Sequence, residues 1–193
     1  MKPITPTVLC AEKNNNGSAS PNDNVLACEF RKPANIDGND WSLEVPDVLN
    51  GNIKASFNNL INFVMTSSDA DFYNMLGNYL DIQSAIDYYI YMYFNGAHDN
   101  LAKNLMMITV DGVKWWCNPY DMDGVWGLHC TNNVFISPTI KCPEEYQDTN
   151  SLLWQRIERV FAAELKSRYA ELRKSVLTVE HITGKFSDFM GII

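Results

Sequence analysis

Apolar residues along the middle of the chain recur at helical spacing. From Ile53 to Ser67, Ile53, Phe57, Leu60, Ile61, Val64 and Met65 fall at i, +4, +7, +8, +11 and +12, which predicts an amphipathic helix capped by Asn52. Asp81 caps a second predicted helix, with Ile82, Ala85, Ile86, Tyr89, Ile90, Tyr93 and Phe94 on one stripe. Tyr88, Tyr91 and Met92 make its remaining surface apolar too, and a helix apolar all round belongs in the core. Asn95-Gly96 is its stop signal. Three further helices, Ser151–Ala163, Glu164–Val176 and Val179–Met190 with Thr178 as cap, close the chain.

Between these halves the period shortens. Leu105–Val110 and Val113–Asn118 read as strands joined by Asp111-Gly112, a strong hairpin signal. Val25–Arg31 is another short strand candidate, and the stretch from Asn118 to Asn150 is loop-rich. Ala11–Asn24 is dominated by Asn, Ser, Gly and Pro, a composition that does not offset its own ordering entropy. The expectation is a flexible segment over 1–24 and a single domain over 25–193. Its class is α+β, predominantly α-helical, with one β-hairpin.

Composition narrows the partners. The 193 residues carry a net charge of −8, which argues against a sequence-independent grip on nucleic acid or on an anionic membrane. The acidity is concentrated in 1–150, with 8 basic and 18 acidic side chains, against 7 and 5 in 151–193. Five cysteines form no C-x-x-C pair, so a zinc site or a closed disulfide framework is not expected and they read as reduced thiols. No apolar run reaches the length of a membrane span or of a signal peptide.

The hairpin brings candidate chemistry together. A two-residue turn pairs Val110 with Val113, and counting outward sets Asn104 opposite Pro119 and Ala102 opposite Asp121. Asn104, Met106, Ile108, Val110, Val113, Trp115, Cys117, Pro119 and Asp121 then share a face. Asn104 and Asp121 become diagonal neighbours roughly 7 Å apart at the open end, with Asp123 on the same parity and Asp99 just upstream. Two hard oxygen donors beside another carboxylate suit magnesium when phosphates complete its shell. Asp99 to Asn104 also reproduces the D-x-x-x-x-N spacing of a protein-kinase catalytic loop, and D-M-D-G at Asp121–Gly124 resembles the metal-binding D-F-G. An EF-hand loop starting at Asp121 fails, because Trp126 and Asn132 stand where it needs Gly and an acid.

Through YLDIQSAIDYYIYMYFNGAHDNLAKN and VDGVKWWCNPYDMDGVWG, the chain from about Trp41 onward resembles the CotH kinases, spore-coat and related bacterial and phage proteins with an atypical protein-kinase fold. The resemblance implies a kinase C-lobe whose hairpin carries the metal loop. It implies Asp99 as catalytic aspartate, Asn104 as a metal ligand, Asp121 as the main magnesium ligand and Asp123 as the second acid. Lys103 is a candidate phosphate contact. The implied cofactors are Mg2+ and ATP, and the implied partner is a protein substrate. Pro119 and Tyr120 stand before the metal aspartate where members often have proline and tryptophan. No G-x-G occurs, and nothing before Asn52 reads as a multi-stranded nucleotide lobe. The expectation is a helical lobe inactive by itself, completed by an N-terminal lobe or partner chain. The alternative is a non-catalytic structural or adaptor module of a spore, cell-surface or phage particle. The compartment would be the cytoplasm or such a particle.

Neighbouring residues have plainer readings. His98 reads as a hydrogen-bonding spacer, and His129-Cys130 has no second pair at ligand spacing. Trp115, Trp116 and Trp126 read as core aromatics of a half-buried hairpin rather than as a base-stacking platform.

Overall fold

A computed structural model describes residues 6–11, 29–36, 41–97, 100–101, 104–122, 124–126, 128–129, 134–135 and 151–191. The architecture is α+β and predominantly helical. Strands β1 (Thr7–Ala11), β2 (Trp41–Val45), β3 (Leu105–Thr109) and β4 (Trp116–Pro119) form one antiparallel sheet in the order β2-β1-β3-β4. Helices α1 (Gly51–Thr66), α2 (Asp69–Met75) and α3 (Ile82–Asn95) lie between β2 and β3 in sequence. Two-residue strands β5 (Leu128–His129) and β6 (Val134–Phe135) pair separately. Helices α4 (Leu152–Val160), α5 (Ala162–Leu172) and α6 (Val179–Met190) follow.

The sheet corrects the expectation of a single hairpin. Thr7–Ala11, inside the segment expected to be flexible, is a central strand paired on both edges. Leu9 and Ala11 are fully buried on it, so the short run TVLCA is held by apolar burial and two hydrogen-bond ladders. The Val25–Arg31 strand does not extend through its described part: Glu29 is in a 3-10 turn and Phe30 adopts a left-handed backbone, φ 53°. That turn sends the Phe30 ring into an aromatic cluster, edge-on to Trp41 at 6.1 Å. Trp41 meets Phe57 of α1 at 4.7 Å, and Phe57 meets Trp115 at 4.7 Å.

Helix α3 follows the sequence reading. Asp81 Oδ1 accepts the Ser84 N–H at 2.8 Å, and Gly96 ends the helix in a left-handed conformation, φ 64°, which glycine adopts without a Cβ penalty. Ala85, Ile86, Tyr88, Tyr89, Ile90 and Met92 are buried. The cap of α1 is Asn50 rather than Asn52; its Oδ1 accepts the Asn52 N–H at 2.8 Å. Arg156 of α4 locks the α1–α2 corner, donating to Val64 O at 2.7 Å and to Ser68 O at 2.8 Å.

The hairpin register is one residue away from expectation. Leu105 pairs with Pro119, Met107 with Cys117 and Ile108 with Trp116. A slip of one exchanges the faces, and burial agrees: Leu105, Met107, Thr109 and Trp115 are buried, whereas Val110 and Val113 are 52% and 60% exposed. Two interactions widen the turn. Asp111 Oδ1 accepts the Val113 and Lys114 N–H groups at 2.8 and 2.9 Å, and Gly112 takes φ 73°. Trp115 then bonds outside the hairpin, its N–H donating to Tyr79 O at 2.9 Å and its carbonyl accepting the Asp81 N–H at 2.8 Å.

Candidate functional site

The open end of the hairpin is built from three chain segments: the turn after α3, the approach to β3, and the exit from β4. Asn104 is buried and Asp121 is exposed. Asp99, Lys103 and Asp123, together with His98, lie outside the described residues. The shared-face argument for Asn104 and Asp121 does not survive the observed register, since alternation from the Leu105–Pro119 pair puts them on opposite faces. Alternation itself stops there, because Asn104 and Asp121 both have left-handed backbones, φ 56° and 50°. Asn and Asp tolerate that region better than other side-chain-bearing residues.

A residue not singled out from sequence joins the two segments. Asn100, 1% exposed, donates from Nδ2 to Tyr120 O at 2.6 Å and to Asn104 O at 3.5 Å. Its own carbonyl accepts the Tyr88 hydroxyl of α3 at 2.6 Å. The Asn104 N–H donates to Ala11 O at 2.9 Å, so the approach to β3 is also tied to the central strand. Sequence offered one weak signal for Asn100, its place directly after Asp99. Nothing in its type separates it from Asn95 or Asn104.

The chain beyond β4 has a second anchor, at Trp126. The Trp126 N–H donates to Asn95 O at 2.8 Å, and Trp126 has φ 57°. Its ring lies edge-on to Phe94 at 5.6 Å and to Phe186 of α6 at 6.0 Å. Trp126 stays 46% exposed while Trp115 is fully buried, so the expected core role holds for Trp115 and not for Trp126. The exit from β4 is therefore held at two backbone points, Tyr120 O by the Asn100 side chain and the Trp126 N–H by Asn95 O at the end of α3.

Residues 12–193 match the family described as CotH kinase protein. The chain belongs to the CotH kinase family. No curated protein matches it.

In this CotH kinase chain the donors at the hairpin end suit a hard cation. The Asn104 amide and the Asp121 carboxylate offer oxygen, the ligand type magnesium takes. Among the described residues no group of three or more His, Cys, Asp or Glu side chains stands together. A cavity of about 440 Å³ opens beside β4, lined by Tyr88, Ile90, Tyr91, Cys117, Pro119 and Leu172 among others. The Asp87–Arg168 ion pair, 2.7 Å, stands at its wall. No described helix is long and apolar enough to cross a membrane.

Proposed function

We propose that the chain is the helical lobe of a CotH-type protein kinase that, in the complete protein, transfers the γ-phosphoryl group of ATP to a protein hydroxyl. The observation that supports this most is the joining of the approach to β3 and the exit from β4 by Asn100, which brings Asn104 and the start of the Asp121 loop to one opening. In a family of kinases, that opening follows Asp99 in the order a catalytic loop requires.

The roles follow from the chemistry. Asp99 accepts the hydroxyl proton as the acceptor oxygen bonds to the γ-phosphorus and the bond to the departing ADP oxygen breaks. Asn104 and Asp121, with Asp123 as second acid, would hold magnesium, which when bound neutralises phosphate charge. Lys103 would be the phosphate contact. The 193 residues contain no G-x-G, so phosphate cover is assigned to a separate lobe or partner chain, and the chain by itself should bind Mg-ATP weakly and transfer no phosphoryl group. The same lack of G-x-G favours a second reading, a non-catalytic structural or adaptor module of a spore, cell-surface or phage particle.

Calorimetric titration of the full chain with Mg2+ tests the metal site, which a non-catalytic module could also keep. Asp121→Ala should weaken binding about tenfold or more and leave the melting temperature nearly unchanged, because exposed Asp121 carries little packing. An equal magnesium response in mutant and parent refutes the metal site. Radiolabelled ATP with a generic acceptor tests the rest: no turnover is expected, turnover abolished by Asp99→Ala overturns the need for a separate phosphate cover, and turnover that survives Asp99→Ala removes the kinase reading.

A further inference from the structure

We infer that Asn100 is the positioning residue of this site, setting the directions of Asn104 and Asp121 through their backbones. The inference rests on the phosphoryl-transfer reading above.

Asn100 sits where three supports converge. Its carbonyl is held by the hydroxyl of Tyr88, a buried residue of α3. Its Nδ2 serves one carbonyl on each side of the hairpin opening, Tyr120 O at 2.6 Å and Asn104 O at 3.5 Å. A carboxamide nitrogen carries two hydrogens, so one group satisfies both acceptors. The orientation of the amide is fixed by its surroundings, since the flipped form would set Oδ1 against two carbonyl oxygens.

Beyond the ladder the sheet reaches Asn104 through one bond, its N–H to Ala11 O at 2.9 Å. The ladder ends at Leu105 and Pro119, and Asn104 and Asp121, the candidate ligands beyond it, both have φ near +50°. A left-handed residue at the end of a strand aims its side chain outside the pleat alternation. Its aim then depends on whatever keeps that backbone from relaxing to the extended region. Asn100 supplies this by bonding to the carbonyl of Asn104 itself and to the carbonyl of the peptide that leads into Asp121. Both bonds run to backbone carbonyls, so the loss of Asn100 should scatter the two oxygen donors and remove neither.

The test uses the full chain, Mg2+ titration calorimetry and side-chain amide NMR. Asn100→Leu keeps the γ-branched shape and removes the donors. Measured at a temperature where both proteins are folded by circular dichroism, it should weaken Mg2+ binding about tenfold or more. Arg156→Met is the structural control: it removes buried hydrogen bonds at the α1–α2 corner, away from the hairpin, and lowers the melting temperature, but should hold Mg2+ affinity within about threefold of the parent. In the parent, the Asn100 carboxamide protons should exchange with water at least tenfold more slowly than those of exposed asparagines, a readout that does not require the variant to fold. Unchanged Mg2+ affinity in Asn100→Leu overturns the positioning role and leaves the metal reading standing. A parent that binds no Mg2+ overturns both, and freely exchanging Asn100 amide protons overturn the clamp whatever the metal does.

Discussion

Replacing Arg156 should be among the most damaging single changes away from the hairpin. Its guanidinium, on a side chain 5% exposed, donates to Val64 O at 2.7 Å, Ser67 Oγ at 3.0 Å, Ser68 O at 2.8 Å and Asp69 Oδ1 at 3.3 Å. It also lies 4.1 Å from the centre of the Phe72 ring. Two of these acceptors are backbone carbonyls where α1 ends and α2 begins, and α2 is too short to persist by itself. Hydrogen bonds from a charged donor contribute about 1.5–3 kcal/mol each. Against them stands the desolvation of a buried cation, and its Nε has no hydrogen-bond partner among the described residues. Burial accordingly lowers the pKa of Arg156, with Asp69 opposing the shift. Asp69 is 54% exposed and keeps Arg159 at 2.7 Å, so its charge is not stranded. The net expectation for Arg156→Ala is a loss of about 3–4 kcal/mol, or roughly 6–16 °C in melting temperature for a chain of this size. Arg156→Met keeps much of the stem packing and loses the bonds, and should cost about 2–3 kcal/mol. Urea denaturation followed by circular dichroism measures both. If Arg156→Met lies within about 0.5 kcal/mol of the parent, the side chain acts by packing alone and the hydrogen-bonded corner is not what stabilises α2.

Two further outcomes follow from local geometry. Asp111→Ala should lower the melting temperature at pH 7, because the carboxylate accepts the Val113 and Lys114 N–H groups; those bonds hold its pKa below the ordinary value. The contribution is full above the usual carboxylate pKa of about 4 and disappears as pH falls through the depressed one, so the gap between mutant and parent should close in acid. A gap that is constant from pH 7 to pH 2 would show that the turn owes nothing to the charge. Gly96→Ala should cost about 1 kcal/mol, from backbone conformation alone, since an added Cβ meets nothing within 4 Å. Gly96→Asn should cost less, and equal melting of parent and Gly96→Ala would refute the left-handed cap.

What the sequence made legible was local. α3 runs from its Asp81 cap to its Gly96 stop as expected because both signals sit within one turn of the helix they bound, and Thr178 caps α6 for the same reason. The register failed at Trp115, whose backbone bonds to Tyr79 and Asp81, some 35 residues away along the chain. A short-range rule for the Asp111-Gly112 turn has no access to that competitor. β1 was missed because its five residues are too few to show a period, and its partners begin 30 and nearly 100 positions later. α2 left a trace, Ser68 capping Asp71 at 3.1 Å, in a helix too brief for a stripe. At the site, residue types and spacing picked out Asn104 and Asp121 as candidates, whereas the contact that joins their segments belongs to Asn100 and depends on burial that only the folded chain creates.

The central seat of β1 also orders events in time. A chain leaving the ribosome presents β1 and β2 early, but β3, which covers the other edge of β1, follows about a hundred residues later. At ordinary rates of synthesis that is a wait of roughly 5 to 20 seconds. Through that interval Leu9 and Cys10, both buried in the finished sheet, sit on a strand with one open edge, which is a template for pairing with other nascent chains. The aggregation-prone species is therefore a chain arrested before Leu105, and the yield of folded protein should respond to translation speed and to chaperones that shield open strand edges.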